Sequence, residues 1–435
     1  MPDARTRHRT RRPLVSRREL HARRGHRNPL QRSVPDRARR PRLDGRPRID
    51  RLPRGTVRHH HSRRGHAPGK SRFHCTYRAV RRAAQQRAGF MTRPTRHTDP
   101  RQALHLTHPA TEVDRITRHL RDAAKEHKRR GYVVALSGGI DSSVVAALVS
   151  NAVGPERVLA VLMPEIDSAS DTVPLAERVA RHLDLPAVLE DVTPLLATAG
   201  CYARRDEAIR SAIPDYGEGW AAKLVLPDAT SSDVYPLSSL VARDPAGREH
   251  RVRLAPDAYR QVVAATSFKQ RVRAMLAYYH ADRMHYLVAG TPNRLEYELG
   301  FFVKNGDGAA DVKPIAHLLK TQVYDLAAHL GLPSDVRSRV PTTDTYALPQ
   351  RQDEFYFALP HEGMDLCLQA LDEGRPASDL CDALGLEERQ VRRVFDDIEA
   401  KRRVARYLHA TPRLLEPAGM TVTDRQATTV DLAAS

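Results

Sequence analysis

The sequence is poor in the features that organise small secreted or membrane proteins. It has four cysteines in 435 residues, Cys75, Cys201, Cys367 and Cys381, and their spacing fits no metal or redox motif. No disulfide framework or cysteine-based zinc site is therefore expected. Aromatic residues make up only 5% of the chain, with a single tryptophan. No apolar run approaches the ~18–20 residues needed to cross a bilayer, and no stretch resembles a secretory signal. A reducing cytoplasm, with no membrane partner, is the simplest setting.

Acidic residues are scarce in one place only. Residues 1–90 hold 28 Lys and Arg against 5 Asp and Glu, which leaves 43 basic against 47 acidic for the remainder. The formal charge of +19 is thus a local property, and the rest has an ordinary globular balance, long enough for a sizeable core. Residues 1–100 read as a basic arm, rich in Arg, His and Pro. They cannot bury enough apolar surface to offset the entropy of ordering, so disorder is expected. A nucleic-acid-binding arm and a transit peptide are two readings of it. The favoured one is a mis-called upstream start, with Met91 opening the natural sequence. Two decoys lie inside. Gly65 to Ser71 is one residue short of a Walker A loop and follows no strand, and His59-His60-His61 fits a solvated tract better than a metal site.

From Thr111 the pattern turns globular. Val113, Ile116, Leu120 and Ala124 recur at helical spacing, with Gly131 as the expected stop. Strands are expected at Tyr132–Leu136, Val158–Met163, Ala187–Leu189 and His285–Ala289, alternating with helices. That alternation predicts an α/β fold, a doubly wound parallel sheet with helices on both faces. Residues 200–258 break the rhythm: Trp220 to Pro236 lacks periodicity, and Ser239–Arg243 with Arg248–Leu254 reads as an inserted β-hairpin around Asp244–Gly247. Helix is expected again over Tyr259–Ala281, Leu318–Leu330 and Leu366–Leu408. The globular part is placed at 101–410, with a loose tail over 411–435.

The most informative stretch is Ser137-Gly138-Gly139-Ile140-Asp141-Ser142-Ser143, between the first strand and the helix opened by Val144. A strand, a small-residue loop and a helix N-terminus hold phosphate well. Glycines let the backbone approach an anion, and free N–H groups with the positive helix end point at it. Asp141 supplies a carboxylate suited to magnesium. The plainer alternative is a well-capped βα turn.

The loop lacks the Gly-Lys-Ser/Thr of Walker A. Its Ser-Gly-Gly-x-Asp-Ser form resembles the pyrophosphate (PP) loop of the ATP pyrophosphatases, which split ATP into AMP and pyrophosphate. A second cluster narrows the choice: Gly290-Thr291-Pro292-Asn293-Arg294-Leu295-Glu296, Gly300 to Asp311, Pro314-Ile315, Leu319 to Val323, Pro341 to Asp344 and Gln352-Asp353-Glu354. In order and spacing this series resembles NAD synthetase, over roughly Thr111–Leu408. The resemblance implies an adenine nucleotide alpha hydrolase-like fold with a helical C-terminal part.

It also implies roles. Ala135, Leu136, Ser137, Gly138, Gly139, Ile140, Asp141 and Ser142 would cradle ATP phosphates, and Thr291, Lys320 and Thr342 would contact ATP. Asp141 and Glu296 would hold Mg2+, with Asp307 on a second ion. Arg271, Lys304 and Asp311 would bind deamido-NAD. Asp141, Glu296 and Lys320 are the catalytic candidates. The chain departs from the family where Asn-x-Lys-Ala-Arg becomes Ser267 to Arg271, and where a C-terminal His-Lys-Arg contact is replaced at best by Arg402, Arg403 or His409. The implied reaction is amidation of deamido-NAD through an acyl-adenylate. Residues 1–110 are too short for an amidase domain, so free ammonia is the expected donor. A separate glutaminase is compatible with that scheme as an ammonia source. A homodimer is implied. The alternatives are another PP-loop enzyme acting on a different carboxylate or a tRNA, and a nucleic-acid-binding protein using the basic arm.

Overall fold

The computed structural model describes residues 99–225, 239–343 and 345–415. The basic arm with its decoys and Cys75, residue 344, the second half of the 220–236 stretch and the tail from 416 lie outside them. The described strands are β1 (Tyr132–Ala135), β2 (Val158–Leu162), β3 (Ala187–Leu189), β4 (Ala221–Val225), β5 (Ser239–Arg243), β6 (Glu249–Arg253) and β7 (Leu287–Ala289). The helices that position the site are α1 (Pro109–Glu126), α2 (Ile140–Val153), α3 (Thr172–His182), α4 (Cys201–Arg210), α5 (Pro256–Met284), α6 (Arg294–Leu299), α7 (Lys320–His329), α8 (His361–Glu373) and α9 (Glu388–Leu408).

The main sheet has the order β3-β2-β1-β7, and every pairing is parallel. Tyr132 of β1 is level with Val158 of β2 and Leu287 of β7, so side chains of one parity share a face. Tyr132, Val134, Leu287 and Ala289 pack with residues of α1, α2 and α7. Val133, Val161 and Val288 pack with Ala277 and Ala281 of α5 on the opposite face. Both faces are covered, which is why these strands are continuous apolar runs.

The chain leaves β1 through α2 toward β2 on one side and reaches β7 on the other. The loops after β1 and β7 therefore diverge, and a crevice opens between them at the carboxyl ends of the strands. The sequence motifs fall on those two loops.

Two expectations shift in detail. Helix α1 ends at Glu126, with Lys128 in a left-handed conformation (φ 52°) turning the chain. Gly131 serves a different purpose, because a Cβ there would lie 2.1 Å from the Arg157 carbonyl oxygen. The C-terminal helical region is also broken rather than continuous, since Gly374 and Gly385 terminate helices with φ of 70° and 64°. Its apolar side chains join Leu295 and Leu299 of α6 in a second core.

The expected hairpin is present as β5–β6, and β4 pairs with β5 as a third antiparallel strand. Strand β4 is only five residues long and alternates buried Ala222 and Leu224 with less buried neighbours, too short a pattern to stand out. Among the described residues, no helix is long and apolar enough to cross a membrane.

Candidate active site

The loop after β1 leads into a helix without a side-chain cap. Gly139 is the N-cap of α2, and no side chain caps that helix, so the turn is not the well-capped one of the plainer reading. Its first-turn N–H groups are left for an anion. The serine hydroxyls shape the loop itself: Ser142 and Ser143 donate to the Gly139 carbonyl at 3.0 and 2.8 Å, and Gly139 N–H donates to Ser137 Oγ at 3.3 Å. Gly138 sits at φ 72°, and a Cβ there would be 2.7 Å from Leu175 Cβ and 2.8 Å from the Ala176 nitrogen. The turn is thus packed against α3 with room for glycine alone.

The second loop brings its own carboxylate. Asn293 and Glu296 form a capping box at the start of α6: Glu296 N–H donates to Asn293 Oδ1 at 3.2 Å, and Asn293 N–H donates to Glu296 Oε2 at 3.2 Å. The buried Asn293 amide then donates to Asp141 Oδ1 at 3.0 Å, joining the loops across the crevice. Gln352 donates to Glu296 Oε1 at 3.1 Å.

Lys320 completes the group. It opens α7, is 2% exposed, and its ammonium donates to Asp141 Oδ2. Burial acts to lower its pKa, but the Asp141 and Glu296 carboxylates outweigh this and hold it above the ordinary lysine value. Glu296 is also shifted upward. Burial, then the negative charge of Asp141, push its pKa well above the usual carboxylate range, with Lys320 only partly compensating. The site therefore holds two carboxylates against one ammonium and favours additional positive charge. Hard oxygen donors of this kind suit a divalent cation such as Mg2+.

One cavity of about 730 Å³ covers this group. Ser137, Gly139, Ile140, Asp141, Ser142, Thr291, Glu296, Lys320, Thr342, Arg271, Lys304 and Asp307 all line it. Asp307 accepts Val303 N–H at 2.7 Å, and loss of water around it pushes its pKa up to about 6. Lys304 donates to the Tyr407 and Ala410 carbonyls at 2.8 and 3.0 Å, capping the end of α9. Four expected residues lie elsewhere. Ala135 ends β1, Leu136 is buried, and Gly138 faces α3. Asp311 accepts Val288 N–H at 2.7 Å and lines a separate, smaller recess with Tyr278 and Asp282. Arg402 is held by Glu298 and Asp372, and His409 contacts the Tyr297 carbonyl.

Sequence reasoning gave no role to Asn293, whose Asn-x-x-Glu spacing is a capping-box signal, or to Asp365. Asp365 on α8 is fully buried and accepts Thr321 N–H and Oγ1, each at 2.8 Å, and Lys320 N–H at 3.3 Å. Leu319, the N-cap of α7, has no side-chain acceptor, so Asp365 caps that helix from another one and fixes the backbone that carries Lys320.

A buried charge cluster braces the cavity wall. Lys269 of α5 (1% exposed) donates to Glu165 at 2.8 Å, Asp167 at 2.6 Å and the Thr345 carbonyl at 2.7 Å. Arg205 of α4 balances Asp167 at 2.5 Å.

The family model described as NAD synthase matches residues 112–212 and 247–405, with 213–246 falling between the two stretches. The NH(3)-dependent NAD(+) synthetase of Rhizobium meliloti is 53% identical over 71% of this chain and 92% of its own length. That of Mesorhizobium japonicum is 53% identical over 70% of this chain and 95% of its own. A more distant namesake from Thermotoga maritima is 32% identical over 60% of this chain and 86% of its own. The chain belongs to the NAD synthase family.

Proposed function

We propose that this chain makes NAD by ATP-dependent amidation of deamido-NAD, with ammonia as the direct nitrogen donor. The observation that carries the reading is the convergence of Asp141, Glu296 and Lys320 on an uncapped helix N-terminus in one cavity. The family and the activity named for its relatives support the same reading.

A carboxylate is a poor electrophile until it carries a leaving group. The nicotinate carboxylate of deamido-NAD attacks the α-phosphorus of ATP, pyrophosphate leaves, and an acyl-adenylate forms. Ammonia then attacks the acyl carbon, and AMP leaves with the bonding electrons. The first-turn N–H groups of α2 hold the departing phosphates. Lys320, fixed by Asp141 and by the Asp365 cap beneath it, offsets charge on pyrophosphate. Arg271 and Lys304 orient the dinucleotide. Asp141 and Glu296 would hold Mg2+, with Asp307 on a second ion; the metal supplies charge neutralisation of the triphosphate.

Exposed Leu189 on the edge strand β3 and exposed Met275 and Tyr279 on α5 support a homodimer, which light scattering tests: a monomer at micromolar concentration refutes it. A cytoplasmic location fits the substrates. The decisive assay measures NAD, AMP and pyrophosphate from deamido-NAD, ATP and ammonium, with glutamine and tRNA as comparisons. Stoichiometric NAD and AMP with ammonium are expected. Pyrophosphate release that depends on tRNA and not on deamido-NAD would overturn the reading.

A further inference from the structure

The cavity has a wall that the phosphate chemistry does not use. Strand β4 contributes Leu224 and Val225, and the first turns of α5 contribute Tyr259 and Val263. β4 lies in the segment between the two stretches matched by the family model. We propose that Val225, Tyr259 and Val263 seat the flat heteroaromatic ring of a nucleotide substrate, with Leu224 buried in the core behind them, so that β4 forms part of the binding site.

Three observations carry this. First, the wall is apolar yet open along α5: Val263 is 38% exposed and lines the same cavity as Asp141, Glu296 and Lys320. A β-branched apolar side chain facing the cavity gains from covering by a ring, not by solvent. Second, the face of α5 along the cavity changes character in order. Tyr259 and Val263 come first, then Thr266, Ser267 and Gln270, then Arg271. Their spacing of three and four residues makes one stripe, about 18 Å from end to end at 1.5 Å per residue. Ring, hydroxyl-bearing sugar and anionic group follow each other in a nucleotide in the same order. Third, β4 is held in place. Lys223 donates to Glu354 at 2.8 Å and to the Pro349 carbonyl at 3.0 Å, and the Gln350 amide donates to the Leu224 carbonyl. The wall is therefore preformed rather than assembled on binding.

The inference rests on the proposed activity for its choice of ligands. Adenine of ATP and a ring of deamido-NAD share the required chemistry, and kinetics separates them. Val263→Ser, Val225→Thr and their double variant are compared with the unaltered chain and with Val263→Leu, each with a thermal melt to verify folding. The expected result is a rise of about tenfold in the KM of one nucleotide for the double variant, as for lost apolar contact in a pocket. kcat is expected to stay within about twofold, and Val263→Leu to retain the original KM. A rise for ATP assigns the ring as adenine, and a rise for deamido-NAD assigns it to the dinucleotide. Both KM values unchanged in a folded double variant, or a fall in kcat alone, would overturn the proposal. Failure of the underlying activity would show differently, as no NAD formed by the unaltered chain. Calorimetric titration of Mg·ATP into the unaltered and double-variant chains then decides the case for the adenine ring: equal affinities overturn it, and weaker binding by the variant sustains it.

Discussion

Replacing Glu296 by glutamine should stabilise the metal-free protein at alkaline pH while destroying its activity. Asp141, Glu296 and Lys320 place two carboxylates beside one buried ammonium. Above the raised pKa of Glu296 the group carries a net negative charge out of water. Glutamine removes that charge and leaves the Asp141–Lys320 pair balanced. Its oxygen still accepts Asn293 N–H, and its amide donates to Gln352 once the Gln352 amide is flipped. The sign follows from linkage. A carboxyl whose folded pKa lies above its unfolded value binds more protons in the folded state, so stability is full below the unfolded pKa and is lost as pH rises through the folded one. Each pKa unit corresponds to about 1.4 kcal/mol, and Lys320 shares the charge. A gain on the order of 1–2 kcal/mol for Glu296→Gln at pH 9 in EDTA is therefore expected. For a chain of this size that is about 2–6 °C in Tm, shrinking toward zero below pH 5. Scanning calorimetry from pH 5 to 9 measures it. Adding Mg·ATP should reverse the order, since only the unaltered chain gains ligand stabilisation. A variant less stable than the unaltered chain at pH 9 in EDTA would refute the charge argument.

Three further outcomes follow from the same geometry. Asp141→Asn removes the partner of Lys320 and should cut deamido-NAD-dependent pyrophosphate release by at least about 10³-fold, with circular dichroism unchanged; near-normal turnover would remove Asp141 from the site. Gly138→Ala forces a Cβ into Leu175 and the Ala176 backbone at φ 72°, so a loss of about 1–3 kcal/mol in urea unfolding and a raised KM for ATP are expected. Lys269→Met leaves Glu165 and Asp167 buried with only Arg205 in compensation, and should cost about 3–5 kcal/mol in the same assay. A change under 1 kcal/mol would show that the cluster is hydrated.

The sequence alone determined the parallel α/β layer and the family. These are short-range signals: apolar strand runs, a Ser-Gly-Gly-x-Asp-Ser turn and a dense polar stretch are each read within a few residues. Tertiary structure decided what those stretches do together. Asp141 and Lys320 are 179 residues apart, and only the divergence of the loops after β1 and β7 brings them into contact. Asn293 looked like one polar residue in a motif until the fold set its amide on Asp141. Asp365 carried no local signal, because its partners are backbone N–H groups of a different helix. Asp311 belongs to the expected motif yet faces a different recess, since motif order does not fix which side of a strand end a side chain occupies. The apolar wall from β4 was invisible for the same reason: five weakly alternating residues acquire meaning only when packing sets them against α5.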